Sequence, residues 1–222
     1  MIHYSAGQKG KPLPEHLESA RFIDSADAAV RRYAEQAASG ARSPLEQAVR
    51  LFYAVRDGIR YDAFAVRLDP LAHTASNIVG GAPTYCIPKA VLLAAAARAL
   101  GIPSGVGLSN VRNHLTTPKL LERMGGNDLF VDHGYAVLYL EDRWVKAAPA
   151  FNIELCERFA VRPTEFDGRS DAVFQEFDRH DRRHMEYVAD HGFWTDLPYE
   201  RIERDMLAAY PPSFFVPTAE SF

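Results

Sequence analysis

The run Ala90-Val91-Leu92-Leu93-Ala94-Ala95-Ala96-Ala97-Arg98-Ala99-Leu100 constrains this chain more than any other stretch. Its residues favour helix strongly and are apolar on nearly every side, so the helix belongs in the middle of a domain. Its ends are legible. Pro88 falls where a first helical turn tolerates proline, and Gly101 falls where helices commonly stop. The Gly/Pro-rich loop Gly80-Gly81-Ala82-Pro83-Thr84-Tyr85 feeds into this helix, which predicts Cys86 at or beside its N-terminus. A thiol there meets the positive end of the helix dipole and unpaired backbone N–H groups, and both favour thiolate. The same N–H groups can hold an oxyanion after sulfur attacks a carbonyl. A cysteine that merely opens a core helix as a small hydrophobe is the plainer reading, so a partner decides.

The partner lies in Val131-Asp132-His133-Gly134-Tyr135-Ala136-Val137-Leu138-Tyr139-Leu140, read as a strand with His133 at its start. Glu141-Asp142-Arg143 is a turn, and Trp144-Val145-Lys146-Ala147-Ala148 returns as a second strand. A histidine on a hairpin edge suits nucleophile–base pairing across a cleft with a cysteine on a helix N-terminus.

The order Cys86, Ala-rich helix, Arg98-Ala99-Leu100-Gly101-Ile102-Pro103, strand, His133-Gly134-Tyr135-Ala136-Val137, Trp144-Val145 resembles the transglutaminase-like (papain-related) superfamily over about residues 45–152. The resemblance implies an α+β fold with a papain-like or transglutaminase-like core, in which a cysteine on the N-terminus of a central helix packs on an antiparallel sheet carrying histidine. Family activities include transglutaminases, peptide and amide hydrolases, peptide N-glycanases and acyl transferases. One departure stands out. The family usually carries an Asp after the histidine hairpin, in a W-V-x-x-D-P setting, and here Ala148 occupies that position. Asn152 is the preferred substitute for orienting His133, because an amide oxygen can accept from the far ring nitrogen. A plain turn residue is nearly as good a reading of it. Asp132 is the alternative, although neighbouring strand side chains point to opposite faces.

The remaining chain adds context. Ser25 to Ala38 reads as a helix, and Ser43-Pro44-Leu45-Glu46 as a capping box opening a second one, with a short strand at Ile59-Arg60-Tyr61-Asp62. In the connection to the nucleophile, Asn77 is the plausible oxyanion donor by type, and Tyr85 either leans over the site or packs. A short helix over Pro118 to Met124 breaks the stretch between strand and histidine, where loops commonly set substrate choice. Pro198 to Leu207 reads as a closing helix, and Pro211 to Pro217 as an apolar tail that docks on its own domain or on a second copy. His180 and His184 stand at i and i+4, but their charged surroundings suit a solvated face, so no metal and no cofactor is expected.

A net charge of −4 and a pI near 6.1 argue against a basic nucleic-acid surface. Without an apolar signal region or a spanning segment, and with two cysteines, the chain reads as a cytoplasmic protein with reduced thiols and no membrane partner. The sequence therefore predicts a single domain over residues 1–222, with a C-terminal extension from 153. It predicts a cysteine-dependent acyl-transfer enzyme acting on an amide, peptide or thioester. The alternative is a binding module on the same fold.

Overall fold

A computed structural model describes residues 1–5, 10–174 and 177–216. In chain order the elements are β1 (His3–Tyr4), α1 (Ala28–Ala37), α2 (Pro44–Gly58), α3 (Ala75–Ile78), α4 (Cys86–Ala99), β2 (Ser104–Asn113), α5 (Pro118–Arg123), β3 (Leu129–Leu140), β4 (Arg143–Ala147), α6 (Ile153–Arg158), β5 (Met185–Trp194) and α7 (Tyr199–Ala209). The five strands form one antiparallel sheet in the order β1-β5-β2-β3-β4. The architecture is α+β, with α4 packed on the sheet and α1, α2 and α3 packed around α4.

Helix α4 is buried from Cys86 to Arg98, as its all-round apolar sequence requires. It stops at Leu100, and Gly101 takes the left-handed conformation (φ +79°) that ends many helices. Two buried cations fasten it. Lys89 Nζ donates to the carbonyls of Arg56, Ile59 and Ala150 at 2.6–2.8 Å. Arg98 donates to the carbonyls of Glu18, Ser104 and Thr195.

Helix α1 is capped by Asp27, whose Oδ1 accepts from Ala29 N. Ser43 caps α2 through Oγ, which accepts from Glu46 N, but only half of the expected capping box forms: Glu46 Oε2 takes Arg42 N instead. The strand expected at 59–62 is reduced to a single parallel bridge between Tyr61 and Thr84. The β3–β4 hairpin turns on Glu141 and Asp142, both at positive φ, as tight hairpin turns require. The apolar tail docks on its own chain through Phe214, which is buried against Tyr210; Pro217 lies outside the described residues.

Strand β3 begins four residues before His133, so the histidine sits inside the strand, not at its start. Just before it the ladder slips. Ser109 pairs with His133 while Val111 pairs with Phe130, which leaves β3 one residue richer than β2 there. This is a β-bulge, and Asp132 absorbs it with φ +52°.

Candidate active site

Cys86 is the first residue of α4, and Tyr85 is its N-cap. Backbone N–H groups of Gly134, Ile87 and Cys86 itself stand near the sulfur and favour thiolate. Gly134 is what lets strand and helix meet. A Cβ there would stand 2.7 Å from Ile87 Cα, which no side chain tolerates, so glycine permits the β3 backbone to reach the helix N-terminus.

Cys86 and His133 line one cavity of about 30 Å³, walled by Tyr61, Tyr85, Phe130 and Tyr210 among others. Both residues are buried, at 7% and 4% exposure. Neither ring nitrogen of His133 has a hydrogen-bond partner among the described residues, and its ring lies against Phe174 at 4.8 Å between centroids. Burial dominates the electrostatics. It pushes the Cys86 thiol up to about 11, against the pull of the three N–H groups and with a further push from the Asp132 charge. It pulls the His133 imidazole down to about 3. The resting pair is therefore neutral thiol beside neutral imidazole. The helix N-terminus stands where the sequence predicts it, but the thiolate expected from it is overridden by desolvation.

The other expected site residues are placed differently. Asn152 is buried, and its amide is committed elsewhere: Oδ1 accepts from Tyr61 N at 2.9 Å and Nδ2 donates to Glu154 Oε2 at 2.6 Å. It ties the segment before α6 to the segment before the cysteine and makes no bond to His133. Asn77 is exposed and donates to Leu71 O, away from the cavity, so it supplies no oxyanion donor. Tyr85 does wall the cavity, but its hydroxyl donates to His73 Nε2 at 2.5 Å. His73 Nδ1 in turn donates to Asp69 O at 2.7 Å, which fixes that tautomer and holds Tyr85 as the N-cap.

Ala148 packs in a separate apolar cluster with Tyr4, Tyr135, Val137 and Phe193. Asp132 is buried at 1% exposure, with Oδ1 3.7 Å from Arg201 and Oδ2 unpartnered among the described residues. Burial raises its carboxyl to about 6, offset in part by Arg201. The bulge has broken the strand alternation used to discount it, although no bond joins it to His133.

Sequence reasoning missed His184. Its charged neighbourhood suggested a solvated face, yet the side chain is only 3% exposed, next to a second cavity. Among the described residues no cluster of three or more His, Cys, Asp or Glu side chains is arranged to hold a metal ion. Likewise no helix among them is long and apolar enough to cross a membrane.

The family model of the transglutaminase-like superfamily matches residues 31–149. No curated protein sequence matches the chain. Among solved structures, the chain is similar to a candidate cysteine protease from Cytophaga hutchinsonii, at 14% identity and a TM-score of 0.48 over 85% of this chain and 54% of the other. It thus spans about half the length of that protein. It is also similar to the arylamine N-acetyltransferase from Mycobacterium abscessus, at 16% identity and a TM-score of 0.46 over 91% of this chain and 74% of the other.

Proposed function

The chain belongs to the transglutaminase-like superfamily, and we propose that it is a cysteine-dependent acyl-transfer enzyme using Cys86 as nucleophile and His133 as base. The observation that carries this reading is the shared cavity: a thiol on a helix N-terminus and an imidazole from the facing strand.

His133 takes the Sγ proton as sulfur attacks the carbonyl of an amide, peptide or thioester. The C–N or C–S bond of the substrate then breaks, and the leaving group takes that proton from His133. Water or an amine completes the cycle by attacking the Cys86 acyl group, with His133 again relaying the proton. Backbone N–H groups at the start of α4 stabilise the oxyanion. Both cysteines are free, in keeping with a reducing cytoplasmic setting.

A second reading has its own support. The unpartnered His133 ring and the apolar packing of Ala148 suit a binding module that has lost turnover. One experiment separates the two. The protein is incubated with an acyl thioester, and the modified residue is identified by mass spectrometry. Acyl transfer requires a covalent acyl group on Cys86 that forms roughly 100-fold more slowly in His133→Ala, the scale of one general base. Acylation on Cys156, or acylation indifferent to His133, would favour the binding module.

A further inference from the structure

His133 lines two cavities, whereas Cys86 lines only one of them. The second cavity holds about 50 Å³ and is walled mostly by apolar side chains, with Asn113, Thr116, Thr117, His133 and His184 as its polar members. Much of that wall, including Phe151, Leu155, Phe159, Phe174 and His184, lies beyond residue 149, where the family match ends. Among the polar side chains of this wall, Asn113, Thr116 and Thr117 bond within their own loop, where Asn113 Oδ1 accepts from Leu115 N, Thr116 Oγ1 donates to Asn113 O and Thr117 Oγ1 accepts from Leu120 N. His184 is placed differently. It is 97% buried, and its Nδ1 has no hydrogen-bond partner among the described residues. A buried polar atom left bare is costly, and the cost is recovered when a ligand atom meets it.

The chemistry tells which part of a substrate this cavity faces. His133 gives its proton to the leaving nitrogen as the C–N bond breaks, and takes one from the incoming nucleophile before the C–S bond breaks. Whatever is bonded to that nitrogen or nucleophile must therefore lie against His133, not against Cys86. The second cavity is the space that meets this condition.

We infer that this cavity is the acceptor-side subsite, taking a short uncharged group carried by the leaving or incoming amine, with His184 Nδ1 hydrogen-bonding a hydroxyl or carbonyl on that group. The inference rests on the acyl-transfer reading. Size favours a small group: the space is about a third of the ~150 Å³ that takes a benzene ring. Charge limits it too. Walls without a charged side chain, and an imidazole that burial keeps neutral, pulled down to about 4, offer no counter-ion to a carboxylate or an ammonium.

The test uses the full-length Cys86→Ala protein, which binds without turnover, titrated with N-(2-hydroxyethyl)acetamide while the His184 ring resonances are followed by NMR. We expect a saturable shift of His184. N-acetylglycine, whose carboxylate would be buried without a counter-ion, and N-cyclohexylacetamide, which lacks the hydroxyl and is bulkier, should bind about tenfold more weakly or not at all. Adding His184→Phe should cost the hydroxyethyl amide about tenfold, and His184→Gln should restore it. The selectivity series in Cys86→Ala alone decides the matter if a His184 variant folds poorly. Equal binding of the three amides, binding that leaves His184 unmoved, or no binding at all would each overturn the inference. Thioester acylation of Cys86 is measured separately. A selective cavity in a protein that does not acylate overturns the acceptor role and leaves a binding module; acylation with an unselective cavity overturns this inference alone.

Discussion

Cys86 and His133 are driven apart in pKa by the same cause. Burial disfavours the charged form of each, so the thiol rises to about 11 and the imidazole falls to about 3. At neutral pH there is no ion pair to label. Alkylation of Cys86 in the free protein should climb about tenfold per pH unit from pH 6 and flatten only near 11, as the thiolate fraction does. A plateau below pH 8 would contradict that profile. Asp132 modulates it, since its charge raises the Cys86 thiol. Asp132→Asn should speed labelling at pH 8, where the carboxyl is ionised, and change nothing below about pH 4, where it is already neutral. The same substitution has a stability signature. A carboxyl raised to about 6 in the fold, from 3.8, favours the folded state least once ionised, so its cost appears as pH rises through that window. Urea unfolding at pH 3 and pH 8 should show Asp132→Asn stabilising the protein only at pH 8. The helix that Cys86 opens and the hairpin that carries His133 were legible in the sequence, because each leaves a local pattern. Sequence reasoning misjudged the thiol's charge state because the helix-end argument contains no desolvation, which depends on residues far along the chain. It also misjudged Asn152, whose amide bonds Tyr61, 91 residues earlier.

The central helix carries its own internal tie. Lys89 Nζ reaches three carbonyls, at the end of α2, just past it, and before α6, and only the ammonium form has three protons to give them. Burial nonetheless pulls Lys89 down to about 7. Lys89→Met keeps the apolar stem but strands three buried acceptors, at about 1–3 kcal/mol for each buried group left unsatisfied. A loss of about 3 kcal/mol or more is expected, seen as a Tm lower by roughly 6–12 °C for a chain of this size. A shift under 2 °C would show that water replaces the ammonium. Where the β3 backbone meets α4, Gly134→Ala tests a different constraint. Its methyl would overlap Ile87 Cα, so strand and helix must separate, and a lower Tm should come with faster Cys86 alkylation as the cavity opens. Helix α4 and the β3–β4 hairpin were legible because burial on all sides, or a tight turn, marks them. Strand β5 was not. Only Met185 and residues 192–194 are buried in it, and the middle is exposed or half-buried with Glu186, Asp190 and His191, so no alternation shows.

That hidden strand decides how the whole molecule holds together. The family match stops at residue 149, yet the sheet order places β5 between β1 and β2, so a strand outside the match lies within the sheet. It pairs with β2 along most of its length and carries β1 on its other edge through His3–Trp194 and Tyr4–Phe193. The segment that follows it clasps the other end of the chain. Asp196 accepts from the backbone N–H groups of Arg21, Phe22 and Ile23, and Thr195 O accepts from Arg98 at the end of α4. Helix α7 returns Ile202 and Met206 to the main core, and Tyr210, just past its end, to the wall of the Cys86 cavity. A chain ending at residue 152 would retain the thiol, the histidine and the matched segment. It would lose β1's partner, leave β2 as a bare edge and expose the apolar surface now covered by Trp194 and α7. Such a fragment should therefore show no cooperative thermal transition and should aggregate, whereas the chain ending at 216 melts as one unit. A 1–152 fragment that melts cooperatively and still acylates its cysteine would mean that the extension adds the second cavity without supporting the fold.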